Sequence, residues 1–282
     1  KLEKAARQAK GWSDQTEKSK IGQKTAGLKP DRGYIGHKAA KMMKRSKTLE
    51  HRKEDAIRDK EGLLKDVETL AELKMQPLVH HKEVLLEADN LGLRYPESDT
   101  WLFQNLKMEL RKGERVFLHG ANGCGKSTLI KAVLKTAGYG KGAADHFWNF
   151  QEQGRLSLAS GLVISYVSQD TSYLNGSIRK FCEERGLEES LFCAILRQMG
   201  VEREQFTKEL QEYSEGQKKK IQIAESLLTP ANLYLWDEPL NYVDVFTRMQ
   251  IEEVLLRYEP SMLIVEHDAR FQERIATKIV EL

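Results

Sequence analysis

Residues 116–128, VFLHGANGCGKST, determine how the rest of this chain is interpreted. They predict a short apolar strand, then the spacing G-x-x-x-x-G-K-S over residues 120–127, then a helix with apolar periodicity. A phosphate-binding loop (P-loop) needs this order, because its glycines let successive N–H groups face one anion and the helix N-terminus adds its positive end. A glycine-rich turn without a ligand is the alternative. The agreement of strand, spacing and helix favours a nucleoside triphosphate site.

Two side chains of this loop have defined chemistry. Lys126 is predicted to reach the β- and γ-phosphates, which gives it a catalytic role, and the Ser127 hydroxyl is predicted to ligate Mg²⁺. Cys124 stands at a variable position of the motif, and its thiol is interpreted as incidental. The predicted nucleotide-contacting residues of the loop are Gly120, Ala121, Asn122, Gly123, Cys124, Gly125, Lys126, Ser127 and Thr128.

Two later strands lead into polar residues that suit phosphate chemistry. The run 232–236 ends at Asp237 and Glu238, where Asp237 is predicted to hold Mg²⁺ and Glu238 to polarise the water that attacks the γ-phosphate. The run 261–265 leads to His267, which is predicted to hydrogen-bond the γ-phosphate. A strand ending in an acidic turn, or a lone histidine, is usually structural. The P-loop upstream favours the functional interpretation of both.

Two further residues are candidates for the same site. Gln169 follows a strand-like run, where open α/β sheets place ligand-contacting groups, so its amide is predicted to touch Mg²⁺ or the attacking water. Tyr95 precedes Gly120 by 25 positions, and its ring is predicted to stack on the adenine base. A lone aromatic residue more often belongs to a core, and only the neighbouring P-loop favours stacking.

Charge is distributed unevenly along the 282 residues. Residues 1–82 carry 21 Lys and Arg against 12 Asp and Glu, a net charge of +9, whereas residues 83–282 carry a net charge of −6. A basic arm on an acidic body predicts a polyanionic partner. With no signal peptide, no long apolar run and no disulfide or metal spacing among its three cysteines, the chain is expected to be cytoplasmic, without a membrane partner.

Residues 1–82 are predicted to form a basic helical hairpin. Residues 1–20 permit a helix, glycines and a proline mark a loop, and a second helix is predicted from about His37 to Met75. The seam of this second helix repeats every seven positions, at Met42, Leu49, Ala56, Leu63 and Leu70. Because that period is typical of a coiled coil, the two helices are predicted to pack antiparallel, with their tip at about residues 21–36.

Cationic residues concentrate near this tip. Residues 18–47 hold ten Lys or Arg and a single acid, Asp31, with aromatic rings between them. Cationic side chains neutralise phosphates and flat rings stack on exposed bases, so the segment is predicted to contact structured RNA. A solvated helical face is the alternative. The RNA-binding candidates are Lys24, Lys29, Arg32, Tyr34, His37, Lys38, Lys41, Lys44 and Arg45.

Residues 83–282 are predicted to form an α/β nucleotide-binding domain. Short strands are predicted over residues 84–91 and 105–112, and residues at about 171–228 have the pattern of a helical subdomain between sheet strands. His80 and His81 have no further ligand set and are interpreted as polar residues of a linker.

The order of these motifs resembles the ABC ATPases over residues 84–282. Residues 213–220, YSEGQKKK, are similar to the family signature LSGGQ, and residues 240–244, LNYVD, are similar to its D-loop. The resemblance implies an ATPase with ATP and Mg²⁺ as cofactors, whose signature acts on ATP bound by a second ABC domain. Tyr213 and Glu215 depart from the family pattern. The signature residues implied are Ser214, Glu215, Gly216 and Gln217.

The basic hairpin placed before this domain resembles the interdomain linker of ABC-F proteins. The strings DRGYIGHKAAKMMKR, WDEPLNYVDV and TRMQIEE are similar to the antibiotic-resistance (ribosome protection) subgroup. This resemblance implies a linker and a second ABC domain, with another ABC domain upstream in the same polypeptide. It also implies ribosome binding, with the tip near P-site tRNA, rRNA and the peptidyl-transferase centre.

Three other classes of protein are alternatives. An ABC-F translation factor without a resistance role has the same motifs. The ATPase subunit of a membrane transporter has no reason to carry an RNA-like hairpin at this place. Chromosome-maintenance ABC proteins insert a coil between P-loop and signature, whereas Lys126 and Ser214 are 88 positions apart, which disfavours that class.

Overall fold

The computed structural model describes residues 73–139 and 149–282. Residues 1–72 of the hairpin that was predicted over residues 1–82, including its tip, lie outside the described residues. In chain order the elements are β1 (Val84–Arg94), β2 (Phe103–Arg111), β3 (Arg115–His119), α1 (Lys126–Thr136), β4 (Gln151–Leu158), β5 (Ile164–Val167), α2 (Ile178–Arg185), α3 (Glu189–Gln198), two 3₁₀ turns (Arg203–Thr207 and Leu210–Glu212), α4 (Glu215–Leu228), β6 (Leu233–Asp237), α5 (Val245–Tyr258), β7 (Met262–Val265), α6 (Ala269–Ile275) and β8 (Lys278–Glu281).

A parallel sheet of five strands, in the order β5-β6-β7-β3-β8, carries the predicted site motifs. Strands β6 and β7 are buried along their whole length, as their continuous apolar sequences require. One face of the sheet, with Val116 and Leu235, packs in a cluster with α1 and the second sheet. The other face, with Trp236 and Ile264, packs in a cluster with α4 and α5. The carboxyl ends of β3, β6 and β7 therefore meet at one edge, where the P-loop begins.

A second sheet is antiparallel, in the order β2-β1-β4. Leu86 at its centre pairs with Leu110 of β2 and Leu158 of β4. Strand β4, QEQGRLSL, was not predicted, because its side chains are mostly exposed and polar. Its backbone becomes a strand by completing the hydrogen-bond ladder of β1, which a single-sequence pattern does not encode.

The helical subdomain comprises α2, α3 and α4, within the predicted range of about 171–228. The hydroxyl of Ser177 caps α2 by accepting a hydrogen bond from the N–H of Lys180. The rings of Phe181 and Phe192 lie 5.6 Å apart between α2 and α3, so aromatic packing joins these two helices. The predicted α/β nucleotide-binding fold with a helical subdomain is confirmed.

Residues before position 83 already pack against the α/β domain. Leu73 and Met75 are buried in the core, and residues 73–76 are not helical, so the helix predicted to run to about Met75 does not include them. Pro77 forms a parallel bridge with Ala231. His80 is buried, with its Nε2 3.1 Å from the carbonyl oxygen of Ser160, and is therefore part of the packed structure rather than an exposed linker residue.

Candidate nucleotide site

The P-loop connects β3 to α1, as predicted, and one glycine fixes its entry into the helix. Gly125 is the N-cap of α1 with φ 106°, in the left-handed region that favours glycine. A Cβ at this position would lie 3.0 Å from the side chains of Leu102 and Phe103. Only glycine satisfies both the backbone angle and the close approach, so the loop is held against the start of β2.

Lys126 begins α1 with its ammonium group turned back onto the loop. It is only 6% exposed, and its Nζ donates hydrogen bonds to the carbonyl oxygens of Gly120, at 2.9 Å, and Ala121, at 3.0 Å. A cation is thereby placed beside the loop N–H groups. This arrangement suits a phosphate group.

Ser127 and Asp237 connect the P-loop to the end of β6. The Ser127 hydroxyl donates a hydrogen bond of 3.0 Å to Oδ1 of Asp237, a residue that is 1% exposed. Burial raises the pKa of Asp237 to about 6, while the hydrogen bond from Ser127 acts in the opposite direction. A buried carboxylate beside a hydroxyl presents hard oxygen donors, so this pair fits Mg²⁺.

Glu238 stands at the centre of the candidate catalytic groups. Its φ of 49° is unusual for a residue other than glycine, and such strain is typical of functional positions. Its Oε2 accepts hydrogen bonds from the amide nitrogens of Gln169, at 2.9 Å, and Asn241, at 2.7 Å. His267 Nε2 lies 3.5 Å from Oε1. The carboxylate is therefore oriented by two amides and faces the predicted histidine.

An open pocket of about 530 Å³ brings most of the predicted site residues together. The predicted residues that line it are Tyr95, Asn122, Gly123, Gly125, Lys126, Ser127, Thr128, Gln169, Glu238 and His267. Gly120, Ala121 and Cys124 belong to the loop but do not line the pocket, and Asp237 lies behind Ser127. The Tyr95 hydroxyl is 3.0 Å from that of Thr128, which fixes a partly exposed ring at the pocket wall.

The four signature residues do not line this pocket. They form the start of α4, where Ser214 and Gln217 make a reciprocal capping box. A Cβ on Gly216 would lie 2.4 Å from the carbonyl oxygen of Tyr242, so the glycine permits the D-loop-like segment to approach the helix. The Glu215 carboxylate accepts hydrogen bonds from Thr171, at 2.6 Å, and from Lys218, at 2.9 Å.

Sequence reasoning missed Arg248, which connects two of the predicted motifs. Its guanidinium donates to the carbonyl oxygens of Val243, at 3.0 Å, and Leu240, at 3.1 Å. It also pairs with Asp268 at 2.8 Å, next to His267. The string TRMQIEE contains this arginine, but its role is visible only once α5 and α6 are side by side.

Residues 73–139 and 149–282 contain no group of three or more His, Cys, Asp and Glu side chains that suits a metal ion. In the same residues no helix is both long and apolar enough to cross a membrane. The RNA-binding candidates between Lys24 and Arg45 lie outside the described residues.

Residues 103–241 match the family model described as ABC transporter. An ATP-binding protein of Bacillus subtilis, YdiF, is 30% identical over 202 residues, which cover 70% of this chain and 29% of YdiF. Ribosome protection protein VmlR of the same organism is 29% identical over 195 residues, covering 67% of this chain and 32% of VmlR. ATP-binding protein Uup of Caulobacter vibrioides is 25% identical over 260 residues, covering 89% of this chain and 40% of Uup.

The chain spans about a third of the length of the curated relatives it matches. The match with Uup of Caulobacter vibrioides, at 89% of the chain, includes part of residues 1–82, because residues 83–282 are only 200 of the 282. A solved structure described as the ATP binding subunit of an ABC transporter is similar with a TM-score of 0.55 and 23% identity, over 70% of this chain and 85% of that one. At this identity the similarity concerns the fold.

Proposed function

We propose that this chain is part of an ABC-F protein that hydrolyses ATP and binds the ribosome. The observation that carries this proposal is the similarity to a protein named for ribosome protection, combined with the net charge of +9 on residues 1–82. A basic arm before an ATPase domain fits a machine that docks on RNA under nucleotide control.

In this proposal different residues of the pocket bind different parts of ATP. Lys126 and the P-loop N–H groups bind the β- and γ-phosphates, and Tyr95 stacks on the adenine. Ser127, Asp237 and Gln169 would hold Mg²⁺, and the ion would supply positive charge next to the phosphates. These residues already lie together in or directly behind one pocket, as such roles require.

Two side chains would serve the hydrolytic step. Glu238 orients and polarises the attacking water, and its carboxylate is held for this by the amides of Gln169 and Asn241. His267 faces the same carboxylate and would contact the γ-phosphate. Together with Lys126, which would bind the β- and γ-phosphates, these two residues make up the proposed catalytic set.

Catalysis would need a second ABC domain. The signature at Ser214 does not line the pocket that Lys126 lines, so in this proposal the two motifs of one domain would act on different nucleotides. We infer that the upstream ABC domain of the same polypeptide supplies the complementary half-sites. The curated relatives are about twice as long as this chain, which leaves room for such a domain.

The finer proposal is antibiotic resistance by ribosome protection. The tip, at about residues 21–36, would lie near P-site tRNA, rRNA and the peptidyl-transferase centre. ATP-driven closure would favour ribosome binding, and hydrolysis would favour release. The alternative is an ABC-F translation factor without a resistance role. Growth of a deletion strain with and without ribosome-targeting antibiotics distinguishes the two, because only loss of a resistance protein should make the strain more sensitive.

Ribosome co-sedimentation tests the proposal. In the full-length protein, Glu238→Gln removes the group proposed to polarise water but leaves ATP binding intact, so the variant should pellet with ribosomes in ATP more than wild type. Glu183→Gln makes the same change at an exposed position of α2 and should behave as wild type. Equal pelleting of Glu238→Gln and wild type in ATP would contradict ATP control of binding.

The arm is tested separately through its charges. Replacing Lys24, Lys29 and Arg32 together by Gln should lower ribosome affinity about tenfold or more and reduce the salt slope of binding by roughly two to three. The matched control replaces Lys107, Arg179 and Lys180, three exposed cations of the body. Similar losses in both triple variants would mean that only net charge matters, and the arm would not be the contact.

The family description favours a second candidate, the ATPase subunit of a membrane transporter. That candidate predicts a membrane partner that co-purifies with the full-length protein from detergent extracts. ATPase activity stimulated by such a partner, and not by ribosomes, would replace the first proposal.

A further inference from the structure

Helix α4 presents three polar side chains to the segment that carries Gln169. Glu215, Lys219 and Gln222 are spaced i, i+4 and i+7, so they lie on one face of the helix. Glu215 accepts from Thr171, and the Gln222 amide donates to the Asp170 carbonyl at 2.9 Å. The signature helix is thereby joined to residues 168–173 along two turns.

Lys219 makes the central contact of this face. Its Nζ donates to the carbonyl oxygens of Ser168, at 2.7 Å, and Gln169, at 3.2 Å, and the residue is only 3% exposed. Burial of a lysine is costly unless its ammonium is satisfied. Burial lowers the pKa of Lys219, and the nearby carboxylates of Asp237, Glu238 and Glu266 oppose that shift. The ammonium group is therefore close enough to these carboxylates to interact with them.

Gln169 is thus held through both its main chain and its side chain. Lys219 holds its main-chain carbonyl, and its side-chain amide donates to Glu238 at 2.9 Å. A short path of hydrogen bonds runs from the signature helix to the candidate catalytic carboxylate. Displacing the Gln169 backbone would misplace its amide, and a misplacement of about 1 Å at a reacting centre lowers rates by roughly 100-fold.

We propose that Lys219 is a positioning residue for ATP hydrolysis, which holds Gln169 where its amide orients Glu238. This inference rests on the proposed function, since it assigns Lys219 a part in the same catalytic step. Lys219 itself does not line the nucleotide pocket. Its loss should therefore lower kcat while leaving the KM for ATP nearly unchanged.

The test is a double-mutant cycle in the full-length protein, with ATP turnover measured in the presence of ribosomes. Lys219→Met should lower kcat about 10- to 100-fold, with KM for ATP within about twofold of wild type. Gln169→Ala should lower kcat similarly, and the double variant should be no slower than Gln169→Ala alone, because both changes break one path. Lys180→Met, the same change on an exposed face of α2, should leave kcat unchanged.

A second variant keeps the test decisive if Lys219→Met does not fold. Lys219→Gln retains a donor for one of the two carbonyls, so it should recover part of kcat and give the same non-additive cycle. Wild-type kcat in either variant, or losses that multiply in the double variant, would overturn the inference. A wild-type protein that neither turns over ATP nor pellets with ribosomes would instead overturn the proposed function.

Discussion

The sign of the change in the free energy of unfolding caused by Gly216→Ala distinguishes two effects, helix propensity and overpacking. Gly216 lies in the first turn of α4 and has no left-handed backbone angle, so alanine on helix propensity alone would stabilise the chain by up to about 1 kcal/mol. The added Cβ, however, would lie 2.4 Å from the carbonyl oxygen of Tyr242, and ordinary contact begins at 3.4 Å. The backbone carbonyl must retreat by about 1 Å.

Such overpacking costs about 1–3 kcal/mol, which exceeds the gain in propensity. The free energy of unfolding should therefore fall by about 1–2 kcal/mol, or roughly 3–6 °C in Tm for a domain of this size. Urea denaturation of the 282-residue chain measures the change. Ser190→Ala, at an exposed first-turn position of α3, should change the free energy of unfolding by no more than about 0.5 kcal/mol.

The displaced segment also contains Asn241, which donates to Glu238 at 2.7 Å. In the full-length protein Gly216→Ala should therefore slow ATP turnover while retaining ATP binding. A variant that is as stable as wild type, or more stable, would refute the close approach of the D-loop-like segment to α4.

Four further predictions concern the cysteines, the N-cap of α5, its pH dependence and the activity of the chain by itself. Alkylation at neutral pH should modify Cys124 and spare Cys182, because Cys182 is buried and burial raises its pKa to about 12. Mass spectrometry that shows Cys182 modified as fast as Cys124 would contradict this burial. Asp244→Ala removes the N-cap of α5 and should cost about 0.5–2 kcal/mol in urea denaturation, and Asp244→Asn, which keeps the cap, should cost less. Burial alone would raise the pKa of Asp244, but hydrogen bonds from Lys220 and Thr247 lower it to about 2. The stability that the charge of Asp244 contributes is therefore present above pH 4 and is lost as pH falls toward 2. A difference in stability between Asp244→Asn and wild type that does not depend on pH would contradict this. The 282-residue chain by itself should bind ATP with little turnover, and fast turnover independent of protein concentration would contradict the need for a second ABC domain.

Motifs in which the chemistry is local were predictable from sequence. The run of glycines before Lys126 specifies a turn and a helix start within one short segment, and the structure has both. Asp237 and Glu238 were predictable for a similar reason, because they directly follow an apolar run that predicts a buried strand. The fold class followed from the alternation of such strands with helices.

Features that depend on contacts between distant residues were not predictable from the sequence. Strand β4 has a polar sequence and exists through its ladder with β1. Met75 follows a helical pattern yet lies buried in a non-helical segment, because burial in the core outweighs local propensity. Lys219 looked like one of three lysines on a basic helix, and nothing in the string KKK marks it as the buried one.

The P-loop sequence by itself determined that this chain folds around a phosphate site, since the glycine spacing and the Lys-Ser pair act within a few residues of one another. Only the tertiary structure decided which distant residues share that site. Gln169, Glu238 and His267 come from three separate strand ends, and they meet because the strands are parallel neighbours or near neighbours in one sheet. It also decided that the signature helix holds Gln169 through Lys219, because hydrogen bonds between residues 50 positions apart depend on packing that no local pattern specifies.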